Sequence, residues 1–246
     1  MSPSEKKPIW FRYTFSLDSG GRKVFELRLD PETLLIIPQP ELKPPPWARL
    51  DYMPCSHCPL DRSRTEYCPI AANIAPVVDG FKDIISCQAT DVMVEMDERK
   101  IFKHCPVQDG LYPLLGIFMS ASGCPVMEPL KPLVRHHLPF SSIEETIYRV
   151  LTMYVMGQYM RMQEGLEPDW NLAGVTELYE RIKMVNISFC ERLKKAMETD
   201  SVVNSVVILD AFGSMIKTPS RRSVETIRNL FKPYLKEAEA KADEPR

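Results

Sequence analysis

Ile9, Phe11, Tyr13, Phe15 and Leu17 alternate with mostly more polar neighbours, and a period of two marks a strand with one buried face. Asp18-Ser19-Gly20-Gly21 then supplies turn residues, and Phe25, Leu27 and Leu29 resume the alternation, so the pattern predicts a β-hairpin at the start. Asp30-Pro31-Glu32 makes a second turn ahead of Leu34 to Ile37, which the pattern offers as a third short strand. Farther on, the run Val92-Met93-Val94-Glu95-Met96 and the pair Ile101-Phe102 flank the charged turn Asp97-Glu98-Arg99-Lys100 and predict another hairpin.

The later half changes to helical spacing. Leu111 to Ser122 reads as an apolar helix stopped by Gly123, and Glu128 to Arg135 as a short one before Leu138-Pro139. Ser142-Ile143-Glu144-Glu145 has the form of a capping box opening a long helix, with Gly165 closing it after Glu164. Val175, Leu178, Tyr179, Ile182, Val185, Phe189, Leu193 and Ala196 advance by threes and fours on one face, with Glu180, Lys183, Glu191 and Lys194 elsewhere. Two more helices are expected over Ser201 to Lys217 and Pro219 to Leu235, the second with Thr218 as N-cap and Pro219 at its first position. The expected fold class is α+β: an N-terminal antiparallel sheet (1–40) and a cysteine- and proline-rich middle with the second hairpin (41–140), packed on a C-terminal helical bundle (141–240) as one compact unit.

Composition adds mainly exclusions. A hydrophobic fraction of 44% with 26% charged residues is ordinary for a globular protein, and a net charge of −2 gives no footprint for nucleic acid. Leu111 to Met127, interrupted by Pro113 and Pro125, is too short to cross a membrane, and the polar Met1 to Pro8 does not open a signal peptide, so a cytoplasmic protein is expected. Sixteen of the 22 prolines fall between Pro31 and Pro139, which predicts irregular structure there and an extended connector from Pro38 to Pro54. Tyr148, Tyr154, Tyr159, Met153, Met156, Met160 and Met162 crowd one helix, where core packing is the expectation and a protein-binding face the alternative.

The chemistry lies in the cysteines. Six of the seven fall between Cys55 and Cys124, and such clustering in a reducing compartment favours metal over disulfides. Cys55-Ser56-His57-Cys58 lets two thiolates reach one ion from a single turn, and Cys68 follows nine residues later. For a fourth ligand the candidates are Cys124, Cys105, Cys87, His57 and His104; Cys124 is favoured because Gly123 and Pro125 hold it at a rigid break between helices. Zinc is the expected metal, with an iron–sulfur cluster as the alternative, since four cysteines are followed by proline as the last ligand of a bacterial ferredoxin run is. Cys190, next to Phe189 on a helix, is expected to be an ordinary packed thiol. His136-His137 reads as one helix-terminal cation and one packed or solvated ring. No common nucleotide-binding, zinc-protease or nucleophile-elbow motif occurs, so a non-enzymatic role in protein–protein interaction or regulation is expected.

Cys55-Ser56-His57-Cys58-Pro59, Tyr67-Cys68-Pro69, Ser122-Gly123-Cys124-Pro125 and His137-Leu138-Pro139-Phe140, in that order, resemble an uncharacterised bacterial domain family of unknown function over nearly the whole chain. The resemblance implies no activity. It does imply that Cys55, Cys58, Cys68 and Cys124 belong together, with Cys87, Cys105 and Cys190 particular to this chain.

Overall fold

The computed structural model describes residues 6–38, 43–196, 200–216 and 227–235. Four strands, β1 (Ile9–Leu17), β2 (Arg22–Leu29), β3 (Ala89–Met96) and β4 (Arg99–Pro106), form one antiparallel sheet in the order β2-β1-β3-β4. The two expected hairpins are therefore halves of a single sheet, joined where β1 pairs with β3 in the register Tyr13↔Val94 and Phe15↔Val92. Leu34 to Ile37 adds no third strand to the first hairpin; it contributes an isolated bridge, Leu29↔Ile36, and Ile36 N–H donates to the Ala121 carbonyl. The alternation has its expected meaning. Phe11, Tyr13, Phe15, Leu27, Leu29, Val92 and Val94 are buried, while Arg12 pairs with Glu26 and Glu95 on the outer face.

Helices α1 (Pro69–Phe81), α2 (Val107–Ser120), α3 (Lys131–Arg135), α4 (Ile143–Gln163), α5 (Ala173–Ala196) and α6 (Ser201–Ile216) supply the rest. The capping box at Ser142 forms as expected, with Glu145 N–H donating to the Ser142 hydroxyl and Ser142 N–H to the Glu145 carboxylate. Helix α1 was not expected, because the region reads as proline-rich loop; Pro69 sits at a first-turn position, where its missing N–H costs nothing, and Pro76 is carried inside the helix. The anticipated helix start at Thr218 and Pro219 lies outside the described residues.

Phe15, Phe25 and Phe81 join α1 to the sheet, with the Phe15 and Phe81 rings edge to face at 5.0 Å. Helix α2 lies so close to the strands that a Cβ at Gly110 would stand 2.7 Å from both the Phe15 and Val92 side chains. Helix α6, buried through Val202, Val203 and Val206, packs between α2 and α5. The buried side chains form one continuous core from the sheet to α5.

Helix α4 differs from its expectation. Ile147, Val150 and Leu151 are buried, but Met156, Met160 and Met162 are 55%, 59% and 42% exposed, so most of the methionines form an outer ridge rather than core. Among the described residues, no helix is long and apolar enough to cross a membrane.

Candidate metal centre

The segment from Trp47 to Cys68 folds back on itself with little regular structure. Pro46–Ala48 make a single 3-10 turn, Arg49 bridges to Tyr67, Leu50 N–H donates to the Glu66 carbonyl, and Cys68 N–H donates to the Ala48 carbonyl at 2.8 Å. The arms thus pair, and the Cys55-to-Cys58 turn lies between them, closed by Cys58 N–H on the Cys55 carbonyl at 3.1 Å. Helix α5 forms the floor. His57 Nε2–H donates to the Arg181 carbonyl at 3.1 Å, and the Ser188 hydroxyl hydrogen-bonds the Cys55 thiol.

Arg192, only 2% exposed, reaches from α5 into this segment. Its Nη1 donates to the carbonyls of Trp47 and Arg49, both at 2.9 Å, and its Nη2 to that of Met53 at 3.2 Å, with Tyr52 over the guanidinium. A short irregular loop has few backbone partners of its own, and one planar five-donor group satisfies three of its carbonyls at once. Sequence reading passed over this residue. The signal was there: Arg192 follows Phe189 by three, so a charge stands in step with the apolar face of α5.

Cys68 is the N-cap of α1, and Cys124 follows the left-handed Gly123 (φ 92) in the turn after α2. The structure brings Cys55, Cys58, Cys68 and Cys124 into one neighbourhood. Burial pushes the Cys55 thiol up to about 11, and the charges of Cys68, Cys58 and Cys124 push it the same way. Burial likewise raises Cys68 and Cys124; Cys68 also feels Cys58, and Cys124 feels both Cys68 and Cys58, so each thiol lies within electrostatic reach of the other three. Opposing groups surround two of them. The N–H groups of Ala71 and Ile70 face the Cys68 sulfur, those of Val126 and Met127 face Cys124, and the Arg192 charge also favours a Cys68 thiolate.

Burial opposes the thiolate form of Cys55, Cys68 and Cys124, and the charges of neighbouring cysteines oppose it further. Among the described residues, no three histidine, cysteine, aspartate or glutamate side chains converge tightly enough to hold a metal ion. The arrangement is a gathered set of soft donors with amides aimed at two sulfurs, rather than a closed tetrahedron.

The other candidates lie apart. Cys105 is buried on β4 among Lys103, Asp109 and Asp91. Cys87 is exposed, and His104 is an exposed ring paired with Asp91 at 2.8 Å. Cys190 is half-buried on α5, its sulfur directed at the Val203 carbonyl. His57 lies in the Cys55-to-Cys58 turn, with Nδ1 buried and without a partner among the described residues.

A family model described as a domain of unknown function, DUF6901, matches residues 10–232. The chain belongs to the DUF6901 family. No curated protein and no solved structure matches it. The DUF6901 match takes in the sheet except for Ile9, helices α1 to α6 and the four gathered cysteines.

Proposed function

We propose that this DUF6901 member is a non-enzymatic metal-binding protein in which Cys55, Cys58, Cys68 and Cys124 hold one structural zinc ion. The observation that carries the reading is the meeting of four thiols from three separate segments, each within reach of the other three. Four thiolates suit zinc as a closed tetrahedral site, and the metal supplies the positive charge that lets buried sulfurs deprotonate together. The amides facing Cys68 and Cys124, with the Arg192 guanidinium, would share the negative charge left on a tetrathiolate centre. Zinc would then tie the loop around Cys55 to the start of α1 and the turn after α2, both of which are anchored in the core through Ile70, Ala71, Val126 and Met127. The order CxxCP, YCP, SGCP, HLPF is part of the reading, as a mark of a bacterial family rather than of this chain. Its role would be recognition of a protein partner in the cytoplasm, and the outer ridge of α4, with Val155, Met156, Tyr159 and Met160 exposed, has the chemistry of such a surface.

Metal analysis of anaerobically purified protein tests the site. Near-stoichiometric zinc, lost in Cys58→Ser and Cys124→Ser but kept in Cys105→Ser, supports it. Iron with sulfide would replace zinc by an iron–sulfur cluster and move the protein to redox or sensing work, and no metal at all would remove the reading.

A further inference from the structure

Helices α1 and α2 pack on one face of the sheet, against Phe15 and Val92, so the opposite face carries the alternate residues of all four strands. The strand registers set those residues in rows that cross the sheet from β2 through β1 and β3 to β4. The middle row reads Val24, Thr14, Met93, Phe102. The row on one side of it reads Glu26, Arg12, Glu95, Lys100, and the row on the other side reads Arg22, Ser16, Asp91, His104.

The middle row is an apolar stripe in the open. Val24 is 47% and Phe102 57% exposed, with Thr14 packed low between Val24 and Met93. The row beside it alternates in sign, minus, plus, minus, plus. Within the chain Arg12 pairs with Glu26 and Lys100 with Glu95, both at 2.6 Å, yet the Arg12, Glu26 and Lys100 side chains remain exposed. Exposed pairs of this kind add little to the fold, and a row of mixed sign gives no platform for a polyanion.

An alternating row of even length is complementary to its own reverse. A two-fold axis in the contact plane, parallel to the strands and midway between β1 and β3, keeps each row on itself and reverses the strand order. It sets Glu26 opposite Lys100 of a second copy and Arg12 opposite Glu95 of that copy, each twice by symmetry, while stripe meets stripe. Aligned sheets cross at about 30°, which moves the outer residues by only a few ångströms, within the reach of glutamate and lysine. The other axis in that plane, across the strands at the stripe, brings like charges together, because it sets Glu95 on Asp91 and Lys100 on His104.

We propose that this chain self-associates through the outer face of its sheet, as a dimer whose two-fold axis runs parallel to the strands. Four strands about 4.8 Å apart, each rising about 3.3 Å per residue over eight or nine residues, offer a face of roughly 19 by 26 Å. That size belongs to weak, reversible interfaces, which bury under about 1,200 Å² in total. Cys55, Cys58, Cys68 and Cys124 all lie off the strands, so the proposal does not rest on the metal reading.

Sedimentation equilibrium of the full chain from about 10 μM to about 1 mM tests it. The expected result is a reversible monomer–dimer equilibrium with a dissociation constant of roughly tens to hundreds of micromolar, weakened by added salt. Glu26→Lys and Lys100→Glu, both at exposed positions, should each weaken the dimer at least about tenfold, because each sets two like-charged pairs across the axis. An equimolar mixture of the two variants should recover association, since both contacts across the axis are then of opposite sign. Val155→Glu, on the outer ridge of α4, should leave the equilibrium unchanged. A chain that stays monomeric throughout, association indifferent to both charge reversals or lost in Val155→Glu, or a mixture that associates no better than its components would overturn the proposal.

Discussion

The sheet side of the molecule and the cysteine side are both built from buried side chains, but they are held by different physics. Against the sheet, Phe15, Phe81, Val92 and Gly110 fit by shape, and the polar groups there are largely satisfied by strand and helix hydrogen bonds. Around Cys55, an irregular loop is held by one guanidinium on three carbonyls, beside thiols that repel one another when ionised. The first region is stable through apolar area and close packing. On the proposed reading a cation completes the second, so its order should depend on solution conditions that leave the first untouched.

That difference ranks the expected perturbations. Stripping zinc with a chelator should have the largest effect, because structural zinc sites in small domains carry apparent binding free energies of roughly 10–16 kcal/mol, part of which returns as folding stability. Amide hydrogen exchange should show protection lost first from residues 47–68 and the start of α1, with β1 and β3 retained. Arg192→Met should come next, at about 2–4 kcal/mol, since three carbonyls lose their donor; a urea melt would measure it, and the Cys55 loop should become the easiest site of proteolysis. On the sheet side, Gly110→Ala should cost about 1–3 kcal/mol by forcing Phe15 and Val92 aside, without altering metal content.

His137 gives a pH-dependent way to separate the two regions. Its ring packs edge-on to Phe11, shares a hydrogen bond with the Tyr13 hydroxyl, and is pushed down to about 3 by burial and then by the Arg149 charge. Below about pH 6.5 the unfolded chain binds a proton that the folded chain refuses. Stability should therefore fall with decreasing pH by roughly 1.4 kcal/mol per unit, over the window from about 6.5 toward 3. His137→Gln, which can still accept from Tyr13, should flatten that slope in urea melts run at successive pH values. Smallest of the series, Ser142→Ala should remove one half of the capping box and lower stability by about 1 kcal/mol.

How much of this was legible beforehand follows from the same division. Alternation from Ile9 to Leu17 and helical spacing from Val175 to Leu193 report which face is buried, and those elements formed where the pattern put them. The pairing of β1 with β3 was not legible, because register between distant strands leaves no mark in either one. Helix α1 was hidden by Pro69, Pro76 and the glycine at 80, residues that argue locally for a loop but are tolerated at a first turn and on a helix buried against Phe15 and Phe25. The methionines of α4 misled in the other direction, since apolar composition does not say which apolar face finds a neighbour. At the candidate site spacing and resemblance pointed to the four cysteines, whereas nothing pointed to the part played by Arg192, because it depends on carbonyls brought to that side chain only by the fold.

The central claim is that four thiols from three segments act as one site. Cobalt(II) titration of the metal-free protein under anaerobic conditions tests it most directly, since a tetrahedral thiolate site gives intense visible bands that weaken when a sulfur is replaced. The account predicts saturation at one cobalt per chain with a four-sulfur spectrum, reduced in Cys124→Ser and unchanged in Cys105→Ser. A spectrum without tetrahedral bands, or one indifferent to Cys124→Ser, would contradict it.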